Sequence, residues 1–273
     1  MRLENATGSS SAIAKRCSLS KHFENTCQNV AQLLEDFPVA ILAGGLATRL
    51  RPITETIPKA LVPVAGEPFL AHQLRLLVSR GIRKVVLCVG YRGDMIEAEF
   101  RDGTGHGVKL EYSFDGPQLL GTGGALKRAL PKLGHQFFVL YGDSYLPIDY
   151  ASVANAFTES GKVGLMTVFR NQNRWDTSNV VFDGTIIQCY DKKNRTAEME
   201  YIDYGLGVLR DDALAEWPEA EPFDLADVYQ ALVRNNQLAG FEVNQRFYEA
   251  GSTSGLAELD SLLQDPNIFL TTT

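Results

Sequence analysis

The sequence predicts an α/β fold: a mostly parallel sheet with helices on both faces, then a second half rich in β-hairpins. Three observations predict it. Short apolar runs alternate with amphipathic segments of helical length as far as roughly residue 170. The first and third of these runs stop at glycine, at Gly44-Gly45 and Gly142-Asp143, as buried strands do where they open into loops. Beyond residue 170 the order changes to two apolar runs separated by Asp183-Gly184, a hairpin signal.

Taken in order, residues 38–45 read as a buried strand opening into a glycine loop, and Pro52 and Pro58 keep the next segment from forming a long helix. Phe69, Leu70, Leu74 and Leu77 fall at helical spacing, with Pro68 at the start and Gly81 as the stop. A strand is expected over Lys84–Val89, a helix over Asp94–Phe100 and a strand over Val108–Phe114. A helix over Ala125–Leu130 and a strand over Phe137–Tyr141 follow. Next come a helix over Asp149–Ser160 and a strand over Val163–Val168. Asn179–Phe182 and Thr185–Tyr190 should pair across a type I′ Asp-Gly turn. Asp224 is a natural N-cap for a helix over Leu225–Arg234. Two short strands near Gly240–Val243 and Arg246–Glu249, and a helix between Ser252 and Leu263, close the pattern.

Composition bounds the function. Of 273 residues, 45% are hydrophobic and 22% charged, the profile of a globular protein. A formal net charge of −7 argues against nucleic acid or an anionic membrane as partner, yet leaves room for a local phosphate site. No apolar run reaches the ~20 residues that span a bilayer. Cys17, Cys27, Cys88 and Cys189 form no CxxC pair, and the four histidines show no ligand spacing, so neither a zinc site nor disulfides are expected. These features fit a cytoplasmic enzyme; self-association is left open. Residues 1–36 are Ser-rich without an apolar core and are expected as an N-terminal extension, poorly ordered or partly helical. Residues 37–266 would form the single domain and 267–273 a tail.

The chemistry sits in five segments. Leu42-Ala43-Gly44-Gly45-Leu46-Ala47-Thr48-Arg49-Leu50, followed by Pro58-Lys59, combines a glycine pair after a strand, a guanidinium and an ammonium. Glycines let backbone N–H groups approach a polyphosphate, and the two cations suit its oxygens. Gln118-Leu119-Leu120-Gly121-Thr122-Gly123-Gly124 precedes a helix. Gly142-Asp143 ends a strand, at the sheet edge where α/β folds bind ligands, and a carboxylate there suits Mg²⁺. Tyr248-Glu249-Ala250-Gly251-Ser252 and Tyr190-Asp191-Lys192 add further charge, with Asp203 and Gly205 between them and Asn179 just before. The spacing lacks the Gly-x-Gly-x-x-Gly of a dinucleotide site.

Together these segments resemble the nucleoside-diphosphate-sugar pyrophosphorylases, the sugar-1-phosphate nucleotidyltransferases, whose pattern runs Gly-Gly-x-Gly-Thr-Arg-Leu and then Pro-Lys. Ala47 replaces the third glycine, and if that position needs positive φ it costs about 1 kcal/mol. The resemblance covers about residues 38–264 and is nearest in form to heptose-1-phosphate guanylyltransferases. It implies a Rossmann-like domain using Mg²⁺, a nucleoside triphosphate and a sugar 1-phosphate. It also implies catalytic roles for Arg49, Lys59, Asp143 and Lys192. Leu42, Ala43, Gly44, Gly45, Gln118, Gly123 and Gly142 would hold the nucleotide, with Gln118 on the base edge and the Gly123 backbone facing it. Asn179, Asp191, Lys192, Asp203 and Gly205 would hold the sugar phosphate, and Asp143 and Glu249 the metal. GTP with a heptose or hexose 1-phosphate is favoured. The alternatives are a UTP-dependent uridylyltransferase, a CTP-dependent cytidylyltransferase of a small phosphorylated acceptor, and a non-catalytic sugar-nucleotide sensor.

Overall fold

The computed structural model describes residues 32–264. What the sequence implies for residues 1–31 and for the tail lies outside the described residues. After a helical stretch at residues 32–35, thirteen strands and six α-helices follow one another along the described chain. The strands are β1 (Val39–Leu42), β2 (Pro63–Val64), β3 (Glu67–Pro68), β4 (Lys84–Val89), β5 (Lys109–Phe114), β6 (Gln136–Tyr141) and β7 (Ser144–Tyr145). They continue with β8 (Gly164–Arg170), β9 (Val180–Phe182), β10 (Ile187–Tyr190), β11 (Tyr201–Arg210), β12 (Leu238–Val243) and β13 (Tyr248–Glu249). The helices are α1 (Phe69–Ser79), α2 (Gly93–Phe100), α3 (Gly121–Leu133), α4 (Tyr150–Ser160), α5 (Leu225–Arg234) and α6 (Thr253–Leu263).

The main sheet has nine strands. From β5 through β4 and β1 to β6 all pairings are parallel. β11 joins β6 and β8 antiparallel, and β12 lies parallel to β8. The β9–β10 hairpin hangs on the start of β11 through Tyr201 and Val180.

Strand side chains alternate between two cores, the period-2 signature of a sheet covered on both faces. Val39 and Ile41, Val85 and Leu87, and Phe138 and Leu140 join α1, α2 and α4 in one core. Ala40, Val86, Cys88, Phe137 and Val139 face α3 and α5 in the other. A third, smaller cluster fixes α6 through Leu259 against Tyr145 and Val64.

The expected helices and strands form, but the sequence reading did not foresee β11, the ten-residue strand at the centre of the sheet, or the short strands β2, β3 and β7. α3 also starts at Gly121, so the glycine segment is its first turn. Two further details differ. α3 runs through Pro131 to Leu133, although the proline, lacking an N–H, leaves the Lys127 carbonyl without its helical donor. The hairpin turn is not type I′: Phe182 pairs Ile187, leaving four residues in the loop, and of its two turn residues only Gly184 has positive φ. Asp183 acts as the loop's acceptor instead, taking N–H bonds from Thr185 and Ile186 at 2.9 and 2.8 Å.

The topology places the site. After β1 the chain crosses to β4 and β5 on one side and returns to β6 on the other, so the order reverses around β1. The carboxyl ends of these parallel strands share one rim, and the crevice at such a reversal is where open α/β sheets bind ligands.

Candidate active site

A cleft of about 270 Å³ opens at that rim. Leu42, Ala43, Gly44 and Gly45 after β1, Asp115 after β5, and Tyr141, Gly142 and Asp143 at the end of β6 line it, with Lys59, Leu119, Gly121, Thr122 and Ala125. A Cβ added to Gly45 would meet nothing within 4 Å, so this part of the loop faces open space. Ala47 has φ 49° and ψ 45°, so the position where the related pattern has glycine is left-handed, and Thr54 Oγ1 donates to its carbonyl at 2.9 Å.

At one end of the cleft charge converges. Lys59 Nζ lies 2.9 Å from Asp143 Oδ2. β13 pairs with β7 so that Glu249 stands opposite Ser144, and Ala250 N–H donates to the Asp143 carbonyl at 2.7 Å. This short pairing brings an acid from late in the chain beside the acid after β6. The point a Cβ on Gly251 would occupy lies 3.1 Å from both Arg49 Nη2 and Asp143 Oδ2, and Glu249 Oε2 is nearer still. One guanidinium and two carboxylates therefore surround a single glycine. Glu249 is held by Gly251 N–H at 2.9 Å and Ser252 Oγ at 2.6 Å, one bond to each carboxylate oxygen. Each oxygen keeps lone-pair capacity for a cation. Among the described residues no group of three or more His, Cys, Asp or Glu is arranged to hold a metal, so an ion here would rest on these two acids.

The other end of the cleft is apolar, and here the structure departs from the sequence reading. Gln118 is exposed and does not line the cleft; Leu119 and Asp115 do. Gly123 does not face it either. Its N–H donates to the Phe223 carbonyl at 3.0 Å, and a Cβ there would run into the Phe223 ring. Gly123 and Gly124 are small because α3 starts hard against the segment leading into α5, where Thr122 Oγ1 also donates to the N-cap Asp224 at 2.9 Å. Asp115 is 5% exposed, and burial holds its carboxyl above the usual range.

A second cleft of about 290 Å³ shares Tyr141 with the first and is lined by Asp176, Thr177, Asn179, Lys192, Arg195, Ile202 and Asp203. Lys192 Nζ sits 5.1 Å over the Tyr141 ring and 5.7 Å from that of Tyr190. Asp203 accepts from Tyr190 OH at 3.1 Å and Tyr141 OH at 3.4 Å. Burial, with Asp203 alongside, keeps both phenols well above their ordinary range, so they stay donors. Asn179 Oδ1 accepts from Asp203 N–H at 3.0 Å, which fixes the amide orientation.

Two residues expected here have other roles. Asp191 Oδ1 accepts from Lys193 and Asn194 N–H at 2.7 and 2.9 Å, so its carboxylate closes a turn, and these bonds hold it below the usual range. Gly205 sits at an irregularity in β11, packed on Ser144 and Tyr141, and its N–H donates to Asp203 Oδ1 at 3.0 Å. It shapes the cleft from behind. The sequence reading missed Asp115, Asp176, Thr177 and Arg195, and it quoted Tyr141 without giving it a role. Tyr141 stands in the sequence as the last residue of an apolar strand before Gly142-Asp143.

Comparison with known proteins agrees with this geometry. Residues 39–259 match the family described as Nucleotidyl transferase. The chain is 31% identical to the D-glycero-alpha-D-manno-heptose 1-phosphate guanylyltransferase of Campylobacter jejuni, covering 70% of this chain and 83% of that one. It is 30% identical to the UTP–glucose-1-phosphate uridylyltransferase of Synechocystis and 28% to the mannose-1-phosphate guanylyltransferase catalytic subunit beta of Xenopus tropicalis. Those matches cover 76% and 77% of this chain and 58% and 60% of the relatives, so the chain spans under two thirds of their length. In fold it matches a glucose-1-phosphate thymidylyltransferase-like structure from Bacillus anthracis (TM-score 0.74, 22% identity, 85% and 96% covered). It also matches HddC from Yersinia pseudotuberculosis, solved with GMP-PN (TM-score 0.69, 23% identity, 84% and 100% covered). With its glycine loop, paired cations and facing acids on the rim of a parallel sheet, the chain belongs to the nucleotidyl transferase family.

Proposed function

We propose that this chain transfers a nucleoside monophosphate from a nucleoside triphosphate to a sugar 1-phosphate, releasing pyrophosphate, with GTP and a heptose or hexose 1-phosphate as the favoured pair. The observation that carries the reading is the convergence of Arg49, Lys59, Asp143 and Glu249 at one end of a cleft whose neighbour holds Lys192.

A phosphate oxygen of the sugar phosphate attacks the α-phosphorus, a new P–O bond forms, and the bond to the β-phosphate breaks. Both reactants are anions, so positioning and charge neutralisation supply most of the catalysis. Arg49 holds the β- and γ-phosphates of the leaving group. Lys59 neutralises charge building on the phosphates, Lys192 steers the attacking phosphate from the second cleft, and Asn179 presents its amide to the sugar. The reaction asks for no protein nucleophile.

The donor set fits Mg²⁺: two hard carboxylates, Asp143 and Glu249, with remaining positions suited to phosphates and water. When bound, the ion would draw charge from the α-phosphate. The relatives' names support the reaction class: two are guanylyltransferases and one a uridylyltransferase, each acting on a sugar 1-phosphate.

A panel of GTP, UTP, CTP and ATP against heptose, mannose and glucose 1-phosphates, with Mg²⁺ and pyrophosphate detection, tests the proposal. Turnover with at least one pair supports it. Nucleotide binding without pyrophosphate release from any pair would leave a sugar-nucleotide sensor instead.

A further inference from the structure

Asp115 is a buried carboxylate in the nucleotide cleft that this chemistry does not use. It follows β5 directly and lines the apolar end, away from Asp143 and Lys59. Its Oδ2 accepts one long bond, from Leu120 N–H at 3.3 Å. Its Oδ1 is buried and has no hydrogen-bond partner among the described residues. The nearby cation does not pair with the carboxylate: Arg128 Nη1 donates to the main-chain carbonyls of Phe114 at 3.1 Å and of Asp115 at 2.5 Å. Glycines back the group, since a Cβ on Gly90 would stand 2.8 Å from Oδ2. Leu119, packed over Gly90 and 38% exposed, is the side chain an incoming ring would displace. Cys88, Ala125 and Leu119 give the surrounding walls an apolar character suited to a flat ring.

A carboxylate only accepts hydrogen bonds, and a buried one with an unmatched oxygen is destabilising until donors arrive. We infer that Asp115 reads the nucleobase of the donor nucleotide and that the base it selects is guanine. This rests on the nucleotidyltransferase reading and names the residue behind its base choice. Guanine is the common base with two adjacent donors on its Watson–Crick edge, N1–H and the 2-amino group, and these match the two carboxylate oxygens. Uracil and thymine offer one N–H flanked by carbonyl oxygens, which would face the second carboxylate oxygen with like charge. Adenine and cytosine offer an amino group beside a ring nitrogen acceptor, with the same conflict.

The test compares kcat/KM for GTP, ITP and UTP in the intact chain and in Asp115→Asn, using the best sugar 1-phosphate from the panel. ITP lacks only the 2-amino group. The wild-type chain should favour GTP over ITP by about tenfold or more, the scale of one matched donor in a two-point contact, and over UTP by more. Asp115→Asn should lower kcat/KM for GTP by about 10- to 100-fold and bring the GTP/ITP ratio close to one. Ratios within one protein do not depend on how much of it is folded. A wild-type chain indifferent between GTP and ITP, one that prefers UTP or CTP, or a GTP/ITP ratio unchanged in Asp115→Asn would each overturn the inference. If no pair turns over, the transfer reading fails, and calorimetric titration of both proteins with GTP and ITP still decides the role of Asp115.

Discussion

Replacing Gly251 by alanine puts a methyl group where the charged end of the site converges. The new carbon would stand 3.1 Å from Arg49 Nη2 and from Asp143 Oδ2, and closer than that to Glu249 Oε2. Unstrained contacts of this kind sit near 3.5 Å, so Glu249 must swing away by roughly 1 Å or more. That movement breaks its bonds from Gly251 N–H at 2.9 Å and Ser252 Oγ at 2.6 Å, and it carries one of the two facing carboxylates out of position. A misplacement of about 1 Å can lower turnover on the order of 100-fold. The backbone itself should accept alanine, because Gly251 is not among the positive-φ residues.

Stability should change far less than rate. The displaced group is the far end of a flexible side chain, and two hydrogen bonds of about 1 kcal/mol each are at stake. A domain of this size shifts Tm by roughly 2–4 °C per kcal/mol, so Gly251→Ala should melt within about 8 °C of wild type. Steady-state pyrophosphate release and a circular-dichroism melt measure the two quantities. Gly105→Ala is the control, since a Cβ there meets nothing within 4 Å. Turnover in Gly251→Ala within threefold of wild type would refute the claim that this glycine spaces the charged groups. Loss of activity together with collapse of the melt would show that the glycine serves packing.

Lys59→Ala and Arg49→Ala should each lower kcat about 100-fold or more, the worth of one electrostatic donor of ~3 kcal/mol, measured by the same assay. Gly123→Ala should destabilise the fold by about 1–3 kcal/mol, because its methyl enters the Phe223 ring; a melt unchanged from wild type would sink the packing role given to this glycine. Burial pushes the Cys88 thiol up to about 12, so iodoacetamide at about pH 8 should leave it unmodified in the native protein and label it after denaturation, read by peptide mass spectrometry. Burial raises the Asp115 carboxyl, so the folded chain binds this proton more tightly than the unfolded chain does. Its contribution to stability therefore declines as pH rises above the ordinary aspartate value. The Tm of Asp115→Asn relative to wild type should climb as pH rises above about 4, and a constant difference would contradict the assignment.

What the sequence made legible was local. β1, β4 and β6 announce themselves as apolar runs, and Asp224 caps α5 through Ala226 N–H at 2.9 Å, as its place before an amphipathic run suggests. Arg49, Lys59, Asp143 and Glu249 could be named because each sits in a distinctive string, and the structure brings them together around Asp143 and Gly251. The rest depends on partners distant in sequence. Nothing near Gly123 reveals that Phe223 will press on it. Asp115-Gly116-Pro117 reads as a turn, and only the tertiary structure shows a carboxylate buried among glycines. Asp191 is the converse case: Asp191-Lys192-Lys193-Asn194 looks like a charged site, yet an aspartate whose oxygens bond the next N–H groups is a turn former.

A chain with a net charge of −7 is an odd host for two polyanions until distance is considered. At physiological salt, exposed charges more than about 8 Å apart are largely screened, so a bound phosphate senses its immediate neighbours and not the total. Those neighbours include cations, Lys59 in the first cleft with Arg49 beside it and Lys192 and Arg195 in the second, set among Asp143, Asp176 and Asp203. Two of them also have something to leave. Lys59 is paired with Asp143, and Lys192 rests over two aromatic rings, a softer partner than a phosphate. In the proposed reaction, a triphosphate entering the first cleft would replace one partner of Lys59 with another and free Asp143 to meet a cation. Charge pairing is exchanged at each step, so the site can be occupied and emptied without stranding an ion in its half-buried walls.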